Sequence, residues 1–232
     1  MSRPLISFSL YGNASMYLQG MIENARLVPH IYSGWAVRVY CGRRVPQIVV
    51  KKLMNLGCEI REEKASRGHE GMLWRMKPLW EEPHRHVIFR DTDSRLNVRE
   101  AAAVEKWIDS GWAAHMMHDH PHHAGRSMMG GVWGCISGLF PDKLWTLLVR
   151  KYVRHRKKGL DSQMLSKEIY PLLADSMLSH SSVKMGVKLQ WPAKPFPLHT
   201  PWKGFVGQQI TGAGRAVWAG LAPKILAGGE TP

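Results

Sequence analysis

The stretch HVIFRDTDSRLNVRE, His86–Glu100, sets the organisation predicted for the rest of the chain. Its apolar start, Val87–Phe89, predicts a short buried strand, and a helical pattern begins near Val98. Between the two lie Asp91 and Asp93. Because side chains alternate faces along an extended chain, this spacing predicts both carboxylates on one side, where a strand end opens into a crevice. Two adjacent carboxylates repel each other and favour a hard divalent cation, which takes oxygen ligands and leaves positions for phosphate oxygens.

Basic residues surround the acidic pair. Arg90, Arg95 and Arg99 all fall within the same ten residues. Acids suited to a metal and bases suited to a polyanion indicate that metal and phosphate are bound together here. A plainer interpretation of the same residues is a solvated turn with a helix N-cap at Ser94 or Asn97.

An apolar strand that ends in Asp-x-Asp resembles the signature of glycosyltransferases with the GT-A fold, in which the pair holds Mn²⁺ or Mg²⁺ against the diphosphate of a nucleotide-sugar. The resemblance implies an α/β, Rossmann-like (GT-A) single domain with a mostly parallel central sheet flanked by helices. That domain is expected over residues 1–207, with a loosely ordered tail over 208–232. The resemblance also implies Mn²⁺ or Mg²⁺ as cofactor, with Asp91 and Asp93 as ligands. It implies a nucleotide-sugar donor, of which UDP- and GDP-sugars are expected first.

The composition limits the class of protein. A chain of 232 residues is long enough for one large α/β domain. Its cysteines, Cys41, Cys58 and Cys135, form no CxxC and indicate a reducing compartment, so we expect a cytoplasmic protein. The first apolar run is too short for a signal peptide, and no window reaches the roughly 18 apolar residues of a membrane span. The formal charge of +14 indicates an anionic partner: a nucleotide, an anionic lipid or a nucleic acid.

Predicted strands and helices alternate over the first sixty residues. The order strand, helix, strand, helix, strand implies a parallel sheet with right-handed crossovers. The predicted strands are 5–10, 35–40, 58–62, 87–89 and 112–117, and the predicted helices are 15–28, 45–56, 71–80, 99–110, 142–153 and 160–174.

The resemblance also assigns residues to the donor. The first strand ends in a polar, glycine-containing turn that would meet the base and ribose, and a basic residue ahead of the metal motif often reaches the donor in such enzymes. Two adjacent glycines in RSMMGGVWGC, 126–135, mark a place where the backbone comes close to something or turns sharply. The predicted donor-binding residues are Ser9, Leu10, Tyr11, Arg75, Arg90, Arg95, Gly130, Gly131 and Trp133.

Catalytic residues and a third metal ligand follow from the same resemblance. The last long helix carries Asp161 and Gln163 in its first turn, similar to the Asp-Gln element that faces the donor sugar in several retaining families, although Ser162 separates the two here. Asp119 is the acid that chain order places best for the base of an inverting enzyme. His180 is predicted to complete the metal site, as a late histidine or acid does in many GT-A enzymes. The Asp-Gln-like element and the late histidine favour retention over inversion.

Three other functions stay open at this point. A phosphatase of the haloacid dehalogenase type also begins with an apolar strand and Asp-x-Asp, but there the motif follows the first strand, whereas three strands are predicted before Asp91. A metal-dependent nuclease would suit the net charge and needs a further acidic ligand, for which Asp119 could serve. A basic nucleic-acid-binding protein is disfavoured, because two acids facing a polyanion cost affinity unless a metal bridges them.

The acceptor is expected to be a glycan or a lipid-linked molecule. A strongly basic chain can dock on anionic lipid, where each Lys or Arg near the surface contributes about 1 kcal/mol. The basic run Arg150–Lys158 is the expected contact. We therefore expect a cytoplasmic protein that can lie peripherally on the inner face of a membrane.

Overall fold

A seven-stranded sheet forms the centre of the computed structural model, which describes residues 3–64, 70–81, 86–152, 159–198 and 204–216. The strands, in chain order, are β1 (Leu5–Leu10), β2 (Ala36–Gly42), β3 (Glu59–Glu63), β4 (His86–Arg90), β5 (Ala114–His118), β6 (Val132–Ile136) and β7 (Met177–Ser181). Across the sheet their order is β3-β2-β1-β4-β6-β5-β7.

The strand directions make this sheet mostly parallel. In the described part of the chain, four of the six neighbouring pairs are parallel, and β6 runs antiparallel to both of its neighbours. The carboxyl ends of β1 and β4 therefore meet at the same edge as the first residues of β6. The predicted fold class is confirmed: an α/β single domain with a mostly parallel central sheet flanked by helices.

Helices cover both faces of the sheet. They are α1 (Ser15–Ile31), α2 (Gln47–Asn55), α3 (Pro78–Glu81), α4 (Val98–Ser110), α5 (Asp142–Tyr152), α6 (Leu160–Met164) and α7 (Tyr170–Leu173). One core lies between the sheet and α1, α2 and α4, and the other between the sheet and α3, α5, α6 and α7. Alternation along β4 serves both cores, because Ile88 packs into the first while Val87 and Phe89 pack into the second.

Several elements differ from the prediction: two predicted helices are divided differently, and β6 and β7 were not among the predicted strands. The helix predicted over 71–80 is a 3₁₀ helix, Glu70–Met76, followed by α3, because Pro78 has no N–H to continue the ladder. The strand β7 was not predicted, since Met177–Ser181 lacks the β-branched residues of a typical strand and forms by pairing with β5. The helix predicted over 160–174 is α6 and α7 joined by a π-helical turn, Leu165–Ile169.

A buried ion pair ties β4 to its covering helices. Arg90 Nε donates to Glu100 Oε1 of α4 at 3.1 Å, and Tyr32 Oη donates to the same oxygen at 3.0 Å. Arg90 also donates to the carbonyls of Phe89 and Trp133. Burial alone would lower the pKa of Arg90, but Glu100 and Tyr32, through their charges and hydrogen bonds, together outweigh it and raise that pKa. Arg90 is thus a structural cation on the α4 face of the sheet.

Within the described residues, no helix combines the length and apolar character that crossing a bilayer requires.

Removing the carboxylate of Glu100 should be costly. Glu100→Ala leaves the Arg90 guanidinium buried without its counter-charge, and we expect a loss of about 3–5 kcal/mol in the free energy of unfolding. Glu105→Ala, at an exposed position of the same helix, should change it by less than about 0.5 kcal/mol. Urea denaturation followed by circular dichroism measures both, and equal effects would contradict a structural role for the pair.

Candidate active site

A pocket of about 530 Å³ opens at the sheet edge where β1 and β4 end and β6 begins. In open α/β sheets the crevice outside the carboxyl ends of the strands is the usual ligand site. It is lined by Ser9, Tyr11, Tyr17, Met72, Arg75, Asp91, Thr92, Asp93, His122, His123, Arg126, Met129, Gly130, Gly131, Val132, Gly159, Asp161, Ser162 and Gly207. Most of the predicted metal-binding and donor-binding residues, and Asp161, are therefore brought together.

Arg75 lies at the floor of this pocket and joins two of its acids. Its Nη1 donates to Asp91 Oδ1 and to the carbonyl of Arg90, and its Nη2 donates to Asp161 Oδ2 at 2.7 Å. The residue is only 4% exposed. Burial would lower the pKa of Arg75, but Asp91 and Asp161 outweigh that effect and raise it, so the guanidinium stays charged. An arginine predicted to reach the donor directly is thus already bound to two protein carboxylates.

The backbone of Arg75 is anchored by strand β1. Ser7 Oγ donates to the Arg75 carbonyl at 2.7 Å, and the Arg75 N–H donates to Ser9 Oγ at 2.8 Å. These two serines replace the hydrogen bonds that a regular helix would supply to this 3₁₀ segment. The first strand therefore fixes the position of the arginine.

The two adjacent glycines lie directly against the two carboxylates. A Cβ added at Gly131 would fall on Asp91 Oδ2, and one added at Gly130 would fall on Asp161 Oδ2 and 2.6 Å from Arg75 Nη2. Neither glycine has a positive φ, so close approach and not backbone conformation requires them. Both glycines line the pocket, and their contact with a donor stays a prediction.

The Asp91 carboxylate is the most open acid of the floor. Its side chain is 47% exposed, whereas that of Asp161 is 10% exposed. Oδ1 of Asp91 is held by Arg75, and Oδ2 lies over Gly131 at the pocket surface. Asp161 is held at both oxygens, by Arg75 and by the Ser162 N–H at 2.8 Å.

Asp93 experiences the like charge of Asp91. Burial, followed by the charge of Asp91, raises the pKa of Asp93 from 3.8 to about 6. Gln209 Nε2 donates to Asp93 Oδ2 at 2.8 Å, and the Ile210 N–H donates to the Asp93 carbonyl at 2.6 Å. Residues 208–216, predicted as part of a loosely ordered tail, thus pack on the Asp93 loop; residues 217–232 lie outside the described part of the chain.

The loop that carries both acids is a turn and not an extended strand end. Asn24 Nδ2 donates to the Ser94 carbonyl at 2.8 Å, and the Thr92 carbonyl packs against Gly20 of α1 so closely that any side chain there would clash. Arg95 donates to the Ser94 carbonyl at 3.1 Å. The alternation argument for the acidic pair was therefore wrong in its geometry, although both acids do line one pocket.

Tyr11 forms the wall of the pocket at the end of β1. Its ring lies on Gly71 and makes an edge contact with Trp74 at 6.0 Å between centroids. Burial, opposed by the charge of Arg75, raises the pKa of Tyr11 to about 12. The phenol therefore stays protonated at neutral pH and presents both a flat ring and a hydroxyl.

Four predicted donor-binding side chains do not line the pocket. Leu10 and Trp133 are fully buried in the two cores, and Trp133 stacks on Phe89 at 4.4 Å. Arg90 is buried in its ion pair with Glu100, as described above. Arg95 binds carbonyls of the Asp93 loop from behind, so it positions that loop and does not face the pocket. These four assignments are wrong as direct contacts.

Asp119 is likewise not free to act as a base. Arg99 donates to both of its oxygens, at 3.0 and 2.9 Å, Ser182 Oγ donates at 2.6 Å and the Val206 N–H at 3.0 Å. The carboxylate is 5% exposed and does not line the pocket. It joins α4, the end of β7 and the chain near Val206, which corrects its predicted catalytic role.

The structure also contradicts His180 as a third ligand beside Asp91 and Asp93. His180 lies on β7, three strands from β4, and a strand spacing of about 4.8 Å places it roughly 14 Å away across the sheet. Its Nδ1 is hydrogen-bonded to His115 Nε2 at 2.8 Å, and its ring packs on Phe196. The pair of rings belongs to the core.

Gln163 points to solvent on α6 and does not line the pocket, whereas Ser162 does. Of the predicted Asp-x-Gln element, Asp161 is thus the member in the pocket. Pocket residues that the sequence analysis did not assign include Tyr17, Arg126 and His123. Arg126 belongs to the Gly-Gly segment quoted above, but it lies more than thirty residues after Asp91 and Asp93 in the sequence. No local pattern therefore indicated that it shares their pocket.

The described residues contain no cluster of three or more His, Cys, Asp or Glu side chains able to hold a metal. The donor set available to a cation is the pair Asp91 and Asp93. A divalent ion fits this pair, because both carboxylates line the same pocket and supply the oxygen ligands that hard cations take. The remaining ligands would have to come from the substrate or from water.

No protein-family model matches the sequence, and no curated protein matches it. Solved structures of similar fold include a 4-diphosphocytidyl-2C-methyl-D-erythritol synthase from Anaerococcus prevotii, 12% identical, with a TM-score of 0.47 and 81% of this chain and 93% of that chain covered. A mannosyl-3-phosphoglycerate synthase from Rubrobacter xylanophilus is 11% identical, with a TM-score of 0.44, 80% of this chain and 68% of that chain covered. Likenesses of this degree carry no argument about activity.

Because Gly131 lies so close to Asp91, adding one methyl group at residue 131 should destabilise the protein. Gly131→Ala should displace the carboxylate from Arg75 and lower the free energy of unfolding by about 1–3 kcal/mol. Gly125→Ala, where a Cβ would meet nothing within 4 Å, is the matched control and should be neutral or slightly stabilising. Chemical denaturation of both variants tests this. A Gly131→Ala protein as stable as the control would contradict the packing of the glycine on the acid.

The raised pKa of Asp93 predicts how stability depends on pH. Between about pH 4 and 6 the folded state keeps a proton that the unfolded chain has lost, so stability should fall as the pH rises through this window. Asp93→Asn removes the repulsion and should stabilise the metal-free protein by about 1–2 kcal/mol at pH 7.5, after allowance for solvent screening, with little effect at pH 4. Melting temperatures of both proteins across this range measure it. A stability difference that is the same at every pH would refute the coupling.

Proposed function

We propose that the chain is a metal-dependent glycosyltransferase that moves a sugar from a nucleotide-diphosphate-sugar to an acceptor hydroxyl. The observation that carries the proposal is the grouping of Asp91, Asp93 and Asp161 around buried Arg75 in one pocket at the edge of the sheet. Two of these acids are exposed enough to meet a ligand, and the third is rigidly held. Such a floor suits an anionic substrate only when a cation accompanies it.

Asp91 and Asp93 would hold Mn²⁺ or Mg²⁺ in this proposal. A bound ion of this kind supplies Lewis-acid stabilisation to a leaving diphosphate. Arg75 keeps Asp91 in place beneath the pocket, and Gln209 does the same for Asp93. Because Asp93 would have to lose its proton, binding of the ion should weaken below about pH 6.

The nucleoside would lie against Tyr11 and Tyr17, at the end of the pocket formed by β1 and α1. A flat phenol ring offers a surface for a base, and its hydroxyl offers a donor and an acceptor to a ribose. Gly130 and Gly131 would admit the sugar close to the backbone. UDP- and GDP-sugars stay the first donors to test.

We assign Asp161 to the sugar. Its carboxylate is held by Arg75 and Ser162, so it is fixed in orientation and able to stabilise positive charge that develops on the sugar carbon. Retention of configuration is therefore favoured in this proposal, since Asp119 is bound by Arg99 and Ser182 outside the pocket.

The alternative uses of the acidic pair find less support. A haloacid-dehalogenase-type phosphatase needs its first Asp after the first strand, and Asp91 follows β4. A nuclease needs a further free acid beside the pair. Asp119, the acid proposed for it, is bound by Arg99, and Asp161 is held at both oxygens by Arg75 and Ser162.

Membrane docking and a lipid-linked acceptor also remain proposals. Arg150 and Lys151 are exposed at the end of α5, with Lys151 paired to Glu168, and the rest of the predicted basic run, 153–158, lies outside the described residues.

The test is a panel of UDP-, GDP- and dTDP-sugars with Mn²⁺, scored by thermal shift and by slow release of nucleotide diphosphate. At least one donor should stabilise the wild-type protein and be hydrolysed, whereas Asp91→Asn should lose the metal-dependent effects while its circular dichroism stays native. Asp109→Asn, at an exposed position of α4, is the control and should behave as wild type.

Full Mn²⁺-dependent turnover by Asp91→Asn would overturn the assignment of the acidic pair. Pyrophosphate release from a nucleoside triphosphate and a sugar 1-phosphate, without any hydrolysis of nucleotide-sugars, would instead indicate nucleotidyl transfer. Proton NMR of the transferred linkage decides between retention and inversion.

A further inference from the structure

One cationic side chain in the pocket has no role in the proposed function so far. Arg126 lines the pocket and is exposed, and within the described residues its guanidinium has no hydrogen bond or ion pair. Arg75, the other arginine of the pocket lining, is already bound to two carboxylates. An unpaired guanidinium at a concave surface is a ready partner for an oxyanion, which it can bind through two parallel N–H donors.

The backbone that carries Arg126 is held in place. The Arg126 carbonyl is hydrogen-bonded to His118 Nε2 at 3.0 Å, and the Arg126 N–H donates to the carbonyl of His123. Gly186, from the loop after β7, donates to the carbonyl of Ala124 at 2.9 Å. The side chain therefore extends into the pocket from a fixed base, so less ordering is needed when an anion binds.

The position of Arg126 along the sheet edge separates it from the expected diphosphate site. His118, which binds its carbonyl, is the last residue of β5, and β5 lies two strands beyond β4. Two strand spacings amount to about 10 Å. Gly130 and Gly131, where the sugar is proposed to lie, stand between Arg126 and the Asp91–Asp93 loop at the start of β6.

The loop that packs beside the Arg126 turn carries two further cations, which do not themselves line the pocket. Lys184 and Lys188 are exposed on either side of Gly186, in the loop that binds Ala124. The opposite side carries Asp91 and Asp93, so the pocket is acidic at one end and basic at the other. When no metal is bound, Asp91 and Asp93 repel an anion. The anion is therefore attracted to the end of the pocket that carries Arg126.

We propose that Arg126 forms a phosphate subsite on the acceptor side of the pocket, so that the acceptor is a hydroxyl compound carrying a phosphate group. The acceptor role rests on the proposed glycosyl transfer, whereas the phosphate subsite itself does not. The phosphate belongs either to a small soluble ester or to a lipid headgroup, and both present the same oxyanion to the guanidinium.

Calorimetric titration with glycerol phosphate, without metal or nucleotide, tests the subsite directly. The affinity should fall about ten-fold or more in Arg126→Gln and less in Arg126→Lys, which keeps the charge but loses the paired donors. Lys106→Gln, which removes one exposed positive charge from α4, is the charge-matched control and should bind as wild type. Equal affinity in Arg126→Gln and wild type, for both this probe and the vesicles below, overturns the subsite.

Titration with Mn²⁺ and UDP or GDP separates the acceptor side from the donor side. Arg126→Gln should keep its nucleotide affinity within about two-fold of wild type. A loss as large as that for glycerol phosphate would assign Arg126 to the donor diphosphate and overturn the inference. If no nucleotide-sugar binds the wild-type protein but the phosphate affinity depends on Arg126, the glycosyltransferase proposal fails and the subsite stands.

The source of the phosphate is decided with vesicles. Arg126-dependent binding to phosphatidylglycerol vesicles, without binding of free glycerol phosphate, identifies a lipid-linked acceptor. Binding of the free ester identifies a soluble one, and either result supports the subsite.

Discussion

The buried guanidinium of Arg75 is the contact on which the candidate site depends. It binds Asp91 of the β4 loop, Asp161 of α6 and the last carbonyl of β4, while its own backbone is bonded to two serines of β1. The end of β4 and α6 thus meet at one planar cation, and β1 holds the segment that carries it. Because one partner of a buried pair cannot be removed without leaving the other charge uncompensated, these segments are fixed relative to each other.

The same contact decides how the acids differ from one another. Arg75 binds one oxygen of Asp161 and one of Asp91, whereas burial and the charge of Asp91 raise the pKa of Asp93. The glycines at 130 and 131 follow from the same arrangement, because only a residue without a side chain can lie over carboxylates that Arg75 has fixed. The two glycines, the two acids that they contact and Arg75 lie far apart in the sequence, but they pack together as one unit in the structure.

Local signals in the sequence were enough to place the strands and the acidic loop, and not enough to choose the face on which a side chain lies. β1 begins and ends as predicted from its apolar run, and the Gly-Gly segment lines the pocket. Arg90 and His180 were misassigned because the alternation of side chains along a strand puts each of them on the α4 face of the sheet. There Arg90 is hydrogen-bonded to Glu100, and His180 is hydrogen-bonded to His115. Asp119 was misassigned because its partner Arg99 is twenty residues away in sequence and becomes adjacent only through the pairing of β5 with its neighbours.

The chain after Gly207 was predicted to be a loosely ordered tail. In the described part of that tail, however, Gln209 donates to Asp93 and the Ile210 N–H donates to the Asp93 carbonyl. These are hydrogen bonds to charged or constrained acceptors, which are stronger than neutral ones and need no apolar pattern to form. Because Asp93 is also the acid whose charge state changes near neutral pH, the hold of this segment on the pocket is linked to the protonation of Asp93.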